Sequence, residues 1–152
     1  MPDTKIIYIM RNPIDRAWSA VKMEARNKSL DLQNEQQIID FINSDNCRKR
    51  GNYLRTLDNW KRHYNDNQFF IAFFEEAKSN PKELFFSICK FLDVNPELPK
   101  YLNKIISPGQ KNTMPPNISK FLSQLYYEDI KCLQKMFGGY VNKWLAKAES
   151  QL

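Results

Sequence analysis

The run Lys5 to Met10, KIIYIM, most constrains the fold of this chain. It is short, nearly continuous in apolar side chains and rich in β-branched residues. That pattern predicts a strand of a parallel sheet, covered on both faces. Arg11-Asn12-Pro13 follows at once. Asn is a good helix N-cap, and Pro suits the first helical position. Asp15 falls in the predicted first turn, where a carboxylate meets the positive end of the helix dipole. Ile14, Ala17, Trp18 and Val21 recur at helical spacing. The chain therefore opens as strand, tight turn, helix.

Further along, a helix is predicted within Asp31 to Ile42, then a polar, basic break over residues 44–51. A third helix is expected with Tyr53, Leu57, Trp60 and Tyr64 on one face. Gln68 to Phe74, QFFIAFF, reads as a second buried strand. Asn80-Pro81 with Glu83 starts another helix, whose apolar face is Leu84, Phe85, Ile88, Phe91 and Leu92. Residues 107–116, SPGQKNTMPP, read as a loop. A long final helix is expected to turn Phe121, Leu122, Leu125, Leu133, Met136 and Phe137 to the core and to stop at Gly138-Gly139. Trp144 packs back beyond it. Strands alternating with helices indicate an α/β architecture. Two strands do not make a self-sufficient sheet, so part of it is expected outside these 152 residues.

Composition narrows the partners. The chain carries a net charge of +6, which favours anions: nucleotides, phosphates, sulfates, nucleic acid or membrane surfaces. Charge alone does not separate these from a solvated lysine-rich surface. A 42% hydrophobic content with 13% aromatics suffices for a packed core. Cys47, Cys89 and Cys132 are far apart and lack C-x-x-C spacing, and His63 is the only histidine. A disulfide framework and a zinc site are both disfavoured, and no metal site is predicted. The cysteines read as buried or idle thiols in a reducing compartment. No apolar stretch approaches a membrane span, so a soluble, cytoplasmic protein with no membrane partner is the expectation.

The segment Lys5 to Ser19 carries the chemical argument. Arg11 leaves the carboxyl end of a strand, where open α/β sheets bind ligands. Ser19 lies about two turns into the next helix, on a different face from Trp18. A guanidinium fork and a hydroxyl so placed can converge on one phosphate. Equally, Arg11 can pair with Asp15 or Asp31, leaving Ser19 an incidental small residue.

A resemblance adds to this reading. Lys5-x-x-Tyr8-x-x-Arg11-Asn12-Pro13-x-Asp15-Arg16-Ala17-x-Ser19 resembles the 3′-phosphate-binding segment of sulfotransferases that use 3′-phosphoadenosine 5′-phosphosulfate (PAPS). In that family the Arg and Ser of the segment grip the 3′-phosphate, which implies those roles for Arg11 and Ser19. Less specific likenesses extend over most of the chain. They include Tyr53-Leu54 through Trp60, and Phe69 to Pro81, where Glu75-Glu76-Ala77 and Asn80-Pro81 depart mildly from the family pattern. Phe91-Leu92-Asp93-Val94 resembles the Phe-Leu-Gly-Leu that closes the family's next helix. Gln110-Lys111-Asn112 lies where many members place a loop over the donor. Lys111 then either meets a phosphate or the transferring sulfuryl group, or is a solvated loop lysine.

The resemblance implies a P-loop-like sulfotransferase fold in part: one partial domain over residues 1–152, a parallel sheet flanked by helices. The family's Gly-x-x-Lys-x-Gly-Thr-Thr phosphosulfate loop does not occur, and its usual His or Glu base lies upstream of this segment. Catalytic residues are therefore not assigned. The implied activity is sulfuryl transfer from PAPS to a hydroxyl or amine acceptor, such as a glycan or small molecule. The isolated chain is expected to be inactive, and to associate with an N-terminal half or with itself. One alternative is a non-catalytic nucleotide-binding remnant. The other is a basic nucleic-acid-binding module, disfavoured because the aromatics sit at core spacing.

Overall fold

The structure, a computed structural model, describes residues 4–100, 102 and 112–152. Its chain divides into two compact units. One takes residues 1–11 and 55–108, the other residues 12–54 and 109–152.

The first unit is built on two parallel strands, β1 (Ile6–Met10) and β2 (Phe69–Phe73). Ile6 lies opposite Phe69 and Met10 opposite Phe73, with no slip in between. Register neighbours share a face of the pleat, so Ile6, Tyr8 and Met10 side with Phe69, Ile71 and Phe73. Trp60 covers that face: its ring meets Tyr8 edge-on at 4.9 Å and lies nearly parallel to Phe69 at 6.3 Å. The opposite face carries Phe70, packed on Phe91 at 5.5 Å, and the buried Ala72. On that same face Ile7 and Ile9 of β1 remain exposed, contrary to a strand covered on both faces.

After β2 the chain turns straight into a short helix over Phe74–Ser79, where Glu76 accepts a hydrogen bond from the Phe73 amide at 2.9 Å. Pro81 then opens the helix Pro81–Leu92 with Leu84, Phe85, Ile88 and Phe91 half-buried; Leu92, expected on that face, is largely exposed. Asp93 ends it in the left-handed region at φ 60°, and the Val94 amide donates back to the Cys89 carbonyl. The family pattern has Gly at this point, and Asp tolerates the same turn at some cost.

The second unit is helical. We number α1 Pro13–Arg26, α2 Glu35–Asn43, α3 Asp45–Gly51, α4 Tyr53–Lys61, α5 Phe74–Ser79, α6 Pro81–Leu92, α7 Pro116–Phe137 and α8 Gly139–Glu149. The chain passes from one unit to the other within α4, whose Arg55–Lys61 stretch carries Trp60. In the helical unit α1 packs on α7 and beside α2 and α3, while α7 pairs with α8. Ile14, Ala17, Trp18 and Val21 of α1 are buried, as their spacing predicts.

Two expectations in the helical unit are corrected. The basic stretch over residues 44–51 is not a break in the secondary structure: Asp45–Gly51 form α3. Ser44 caps α3 there, Cys47 is buried, and Arg16 donates to the Cys47 carbonyl at 2.7 Å. On α7 the buried stripe is Ile118, Leu122, Tyr126, Ile130 and Leu133, and Met136 is 50% exposed. Steps of four from Ile118 reach Leu122, Tyr126 and Ile130, and a step of three then reaches Leu133. Gly138 and Gly139 end α7 with positive φ, as expected, and α8 starts there with Trp144 buried on it, packed back as expected.

Candidate functional site

Asn12 sets the local geometry of the motif. Its side-chain oxygen accepts from the Ile14 amide at 3.0 Å, and the residue is itself buried. This cap ends β1 and starts α1 within two residues, so Arg11 is held at the carboxyl end of the strand.

In the first unit Arg11 stands over the ring of Phe74, 4.9 Å from its centre. Met10 and Phe73 are register partners, so Arg11 and Phe74 are the residues that follow the last paired positions. Lys78, one turn on in α5, lies over the same ring at 4.7 Å. Two cations thus share one ring at the carboxyl ends of both strands, attracted by its electron-rich face. Neither Phe74 nor Lys78 was singled out by the sequence. Their role depends on strand register, which a single sequence does not display.

In the helical unit Ser19 is half-buried on α1. Asp15, weighed as a partner for Arg11, pairs with Lys147 at 2.6 Å. Asp31 accepts from the Gln33 amide at 2.9 Å. Next to Ser19, Trp18 donates its indole N–H to the Asn112 carbonyl at 3.3 Å. Lys111 lies outside the described residues, but its neighbour Asn112 is thereby anchored to α1.

A second cluster surrounds Tyr126. Arg48 of α3 lies over its ring at 5.7 Å. Burial raises the Tyr126 phenol above its ordinary value, with further raising from Cys47 and opposition from Arg16 and Arg48. Burial also raises the Asp129 carboxyl, against the pull of Arg48. His63 is exposed, as expected for a surface residue. Cys47 and Cys89 are buried and Cys132 is exposed, all three as free thiols. Among the described residues no group of three or more metal-ligating side chains occurs, and no helix is long and apolar enough to cross a membrane.

Parallel strands flanked by helices, with cations at the strands' carboxyl ends, define an α/β protein of the kind that binds ligands at that end. The chain belongs to the sulfotransferase family: the Sulfotransferase domain matches residues 1–148. It is similar to a bifunctional heparan sulfate N-deacetylase/N-sulfotransferase 1 from Caenorhabditis briggsae, at 25% identity over 72% of this chain and 14% of that protein. Its fold is similar to that of a solved sulfotransferase from Alicyclobacillus acidocaldarius, with a TM-score of 0.69 and 23% identity. That match covers 94% of this chain and 58% of the other. The chain thus spans little more than half of the solved relative and about a seventh of the curated one.

Proposed function

We propose that this chain anchors PAPS by its 3′-phosphate, through Arg11 and Ser19, in a sulfotransferase acting on a hydroxyl or amine acceptor. The observation that carries the reading is the position of Arg11, at the carboxyl end of a parallel strand in a chain of the sulfotransferase family. The residues fit the group. A guanidinium offers a charge-assisted fork to phosphate oxygens, and a serine hydroxyl adds a neutral donor. Lys78 strengthens the local positive potential.

The donor supplies the sulfuryl group. The part assigned to this chain is to bind and orient its nucleotide end, which converts an encounter into a fixed geometry. Lys111 is proposed as a further contact to the donor, supported by the Trp18 hydrogen bond that fixes the adjoining Asn112. The name of the curated relative, an N-sulfotransferase, keeps amines among the acceptor classes. The three free thiols agree with a cytoplasmic location.

The test compares adenosine 3′,5′-bisphosphate with AMP as thermal stabilisers of the folded protein. A ligand that binds only the native state raises its melting temperature by mass action. The bisphosphate is expected to give the larger shift. Equal shifts would remove the 3′-phosphate assignment.

A further inference from the structure

Phe74 and Lys78 stand four positions apart in α5, so helical spacing sets the ammonium beside the ring. Lys78 Nζ lies 4.7 Å from the ring centre, and the Arg11 guanidinium carbon 4.9 Å from the same point. Arg11 arrives from the other strand, because it and Phe74 follow the last register pair, Met10 and Phe73. Lys78 is exposed, and among the described residues it makes no hydrogen bond or ion pair. Glu76, two positions before it, accepts from the Phe73 amide instead. Two cations gathered at one ring repel each other, and the ring offsets that only weakly. An anion placed against both turns the repulsion into attraction. Phosphate suits the pair: its oxygens accept from a guanidinium fork and from an ammonium, a point charge on a flexible stem.

We infer that Lys78 donates to the phosphate that Arg11 grips, and that this second cation sharpens the chain's selection of nucleotides carrying a 3′-phosphate. The inference rests on the reading of Arg11 as the 3′-phosphate anchor and extends that site to the second strand. Arg11 follows β1 and supplies directional donors, while Lys78 lies on the helix that follows β2 and supplies charge. The Phe74 ring keeps both within 4.9 Å of one centre, which narrows the positions the flexible lysine samples before a nucleotide arrives.

The test is isothermal titration of adenosine 3′,5′-bisphosphate and of AMP into wild type, Lys78→Gln and Lys78→Arg, each shown to be folded by circular dichroism. Glutamine has nearly the helix propensity of lysine, so Lys78→Gln removes the charge and spares α5. It is expected to weaken bisphosphate binding about five- to tenfold and to change AMP binding by less than about twofold. Lys78→Arg, which keeps the charge, is expected to retain most of the bisphosphate affinity. Added salt is expected to weaken the wild-type complex more steeply than the Lys78→Gln complex, because one fewer charge is screened. A role confined to the stability of α5 would leave that salt dependence unchanged. When the wild type prefers the bisphosphate, equal bisphosphate affinity in Lys78→Gln, or an equal loss for both nucleotides, overturns this inference and leaves the Arg11 reading standing. A folded wild type that binds the two nucleotides equally, or binds neither, overturns the Arg11 reading and this inference with it.

Discussion

The Arg11 guanidinium sits 4.9 Å from the centre of the Phe74 ring, just past the last paired residues of β1 and β2. The ring is a platform for the cation. Phe74→Leu keeps apolar bulk but removes the electron-rich face. A contact of this kind is worth about 0.5–1 kcal/mol, so affinity for adenosine 3′,5′-bisphosphate is expected to fall about two- to fivefold. Isothermal titration measures this, and an unchanged affinity would show that the ring does not hold Arg11 in its binding position.

Arg11→Ala is expected to weaken bisphosphate binding far more than Ser19→Ala. Hydrogen bonds to charged groups are worth about 1.5–3 kcal/mol each, so loss of a fork should exceed tenfold. The serine removes one neutral donor. Titration of both variants checks the order; equal or reversed losses would contradict the division of roles.

At Gly51, the glycine of α3, a methyl group has no room. A Cβ there would stand 2.8 Å from the Tyr126 hydroxyl and 3.2 Å from its Cζ. Gly51→Ala is expected to cost about 1–3 kcal/mol, read by urea denaturation. Adding Tyr126→Phe should recover part of the loss, because the hydroxyl leaves while the ring carbon stays close. Additive costs in the double variant would mean that the two residues do not compete for space.

Asp129 should make stability depend on pH. Burial raises its carboxyl above the ordinary 3.8, opposed by Arg48. The unfolded chain then gives up the proton more readily, so stability falls as pH rises through the two values. The penalty is absent below the unfolded value and complete above the folded one. Asp129→Asn is therefore expected to raise the melting temperature at neutral pH and to give no gain below about 3.8. A gain of equal size at both pH values would assign the effect to something other than ionisation.

Asp93 closes α6 with φ at 60°. A side chain there is strained, although Asp tolerates the region better than most residues. Asp93→Gly is expected to stabilise the protein by about 0.5–1 kcal/mol in chemical denaturation. A loss instead would mean that the Asp side chain contributes more than the turn strain costs.

The local elements follow from local chemistry, and they are legible residue by residue. KIIYIM, short and rich in β-branched residues, reads as a strand, and β1 is that strand. Asn12-Pro13 can cap and open a helix with no other part of the chain present, and the observed cap is that one. Pro81 opens α6 because its ring fixes the backbone, and Gly138-Gly139 end α7 because glycine tolerates positive φ; both effects act within a few residues. The Arg11 to Ser19 segment, with its family likeness, lies within one such stretch, which is why half of the candidate site could be read directly. Other features needed partners distant in sequence. Strand register alone sets Phe74 level with Arg11, and it joins residues 63 positions apart. The basic run in α3 folds because Arg16 holds the Cys47 carbonyl and because Arg48 finds the Tyr126 ring. Ile7 and Ile9 stay exposed while Phe91 of α6 packs on Phe70 beside them, a fact of packing that no count of apolar residues contains.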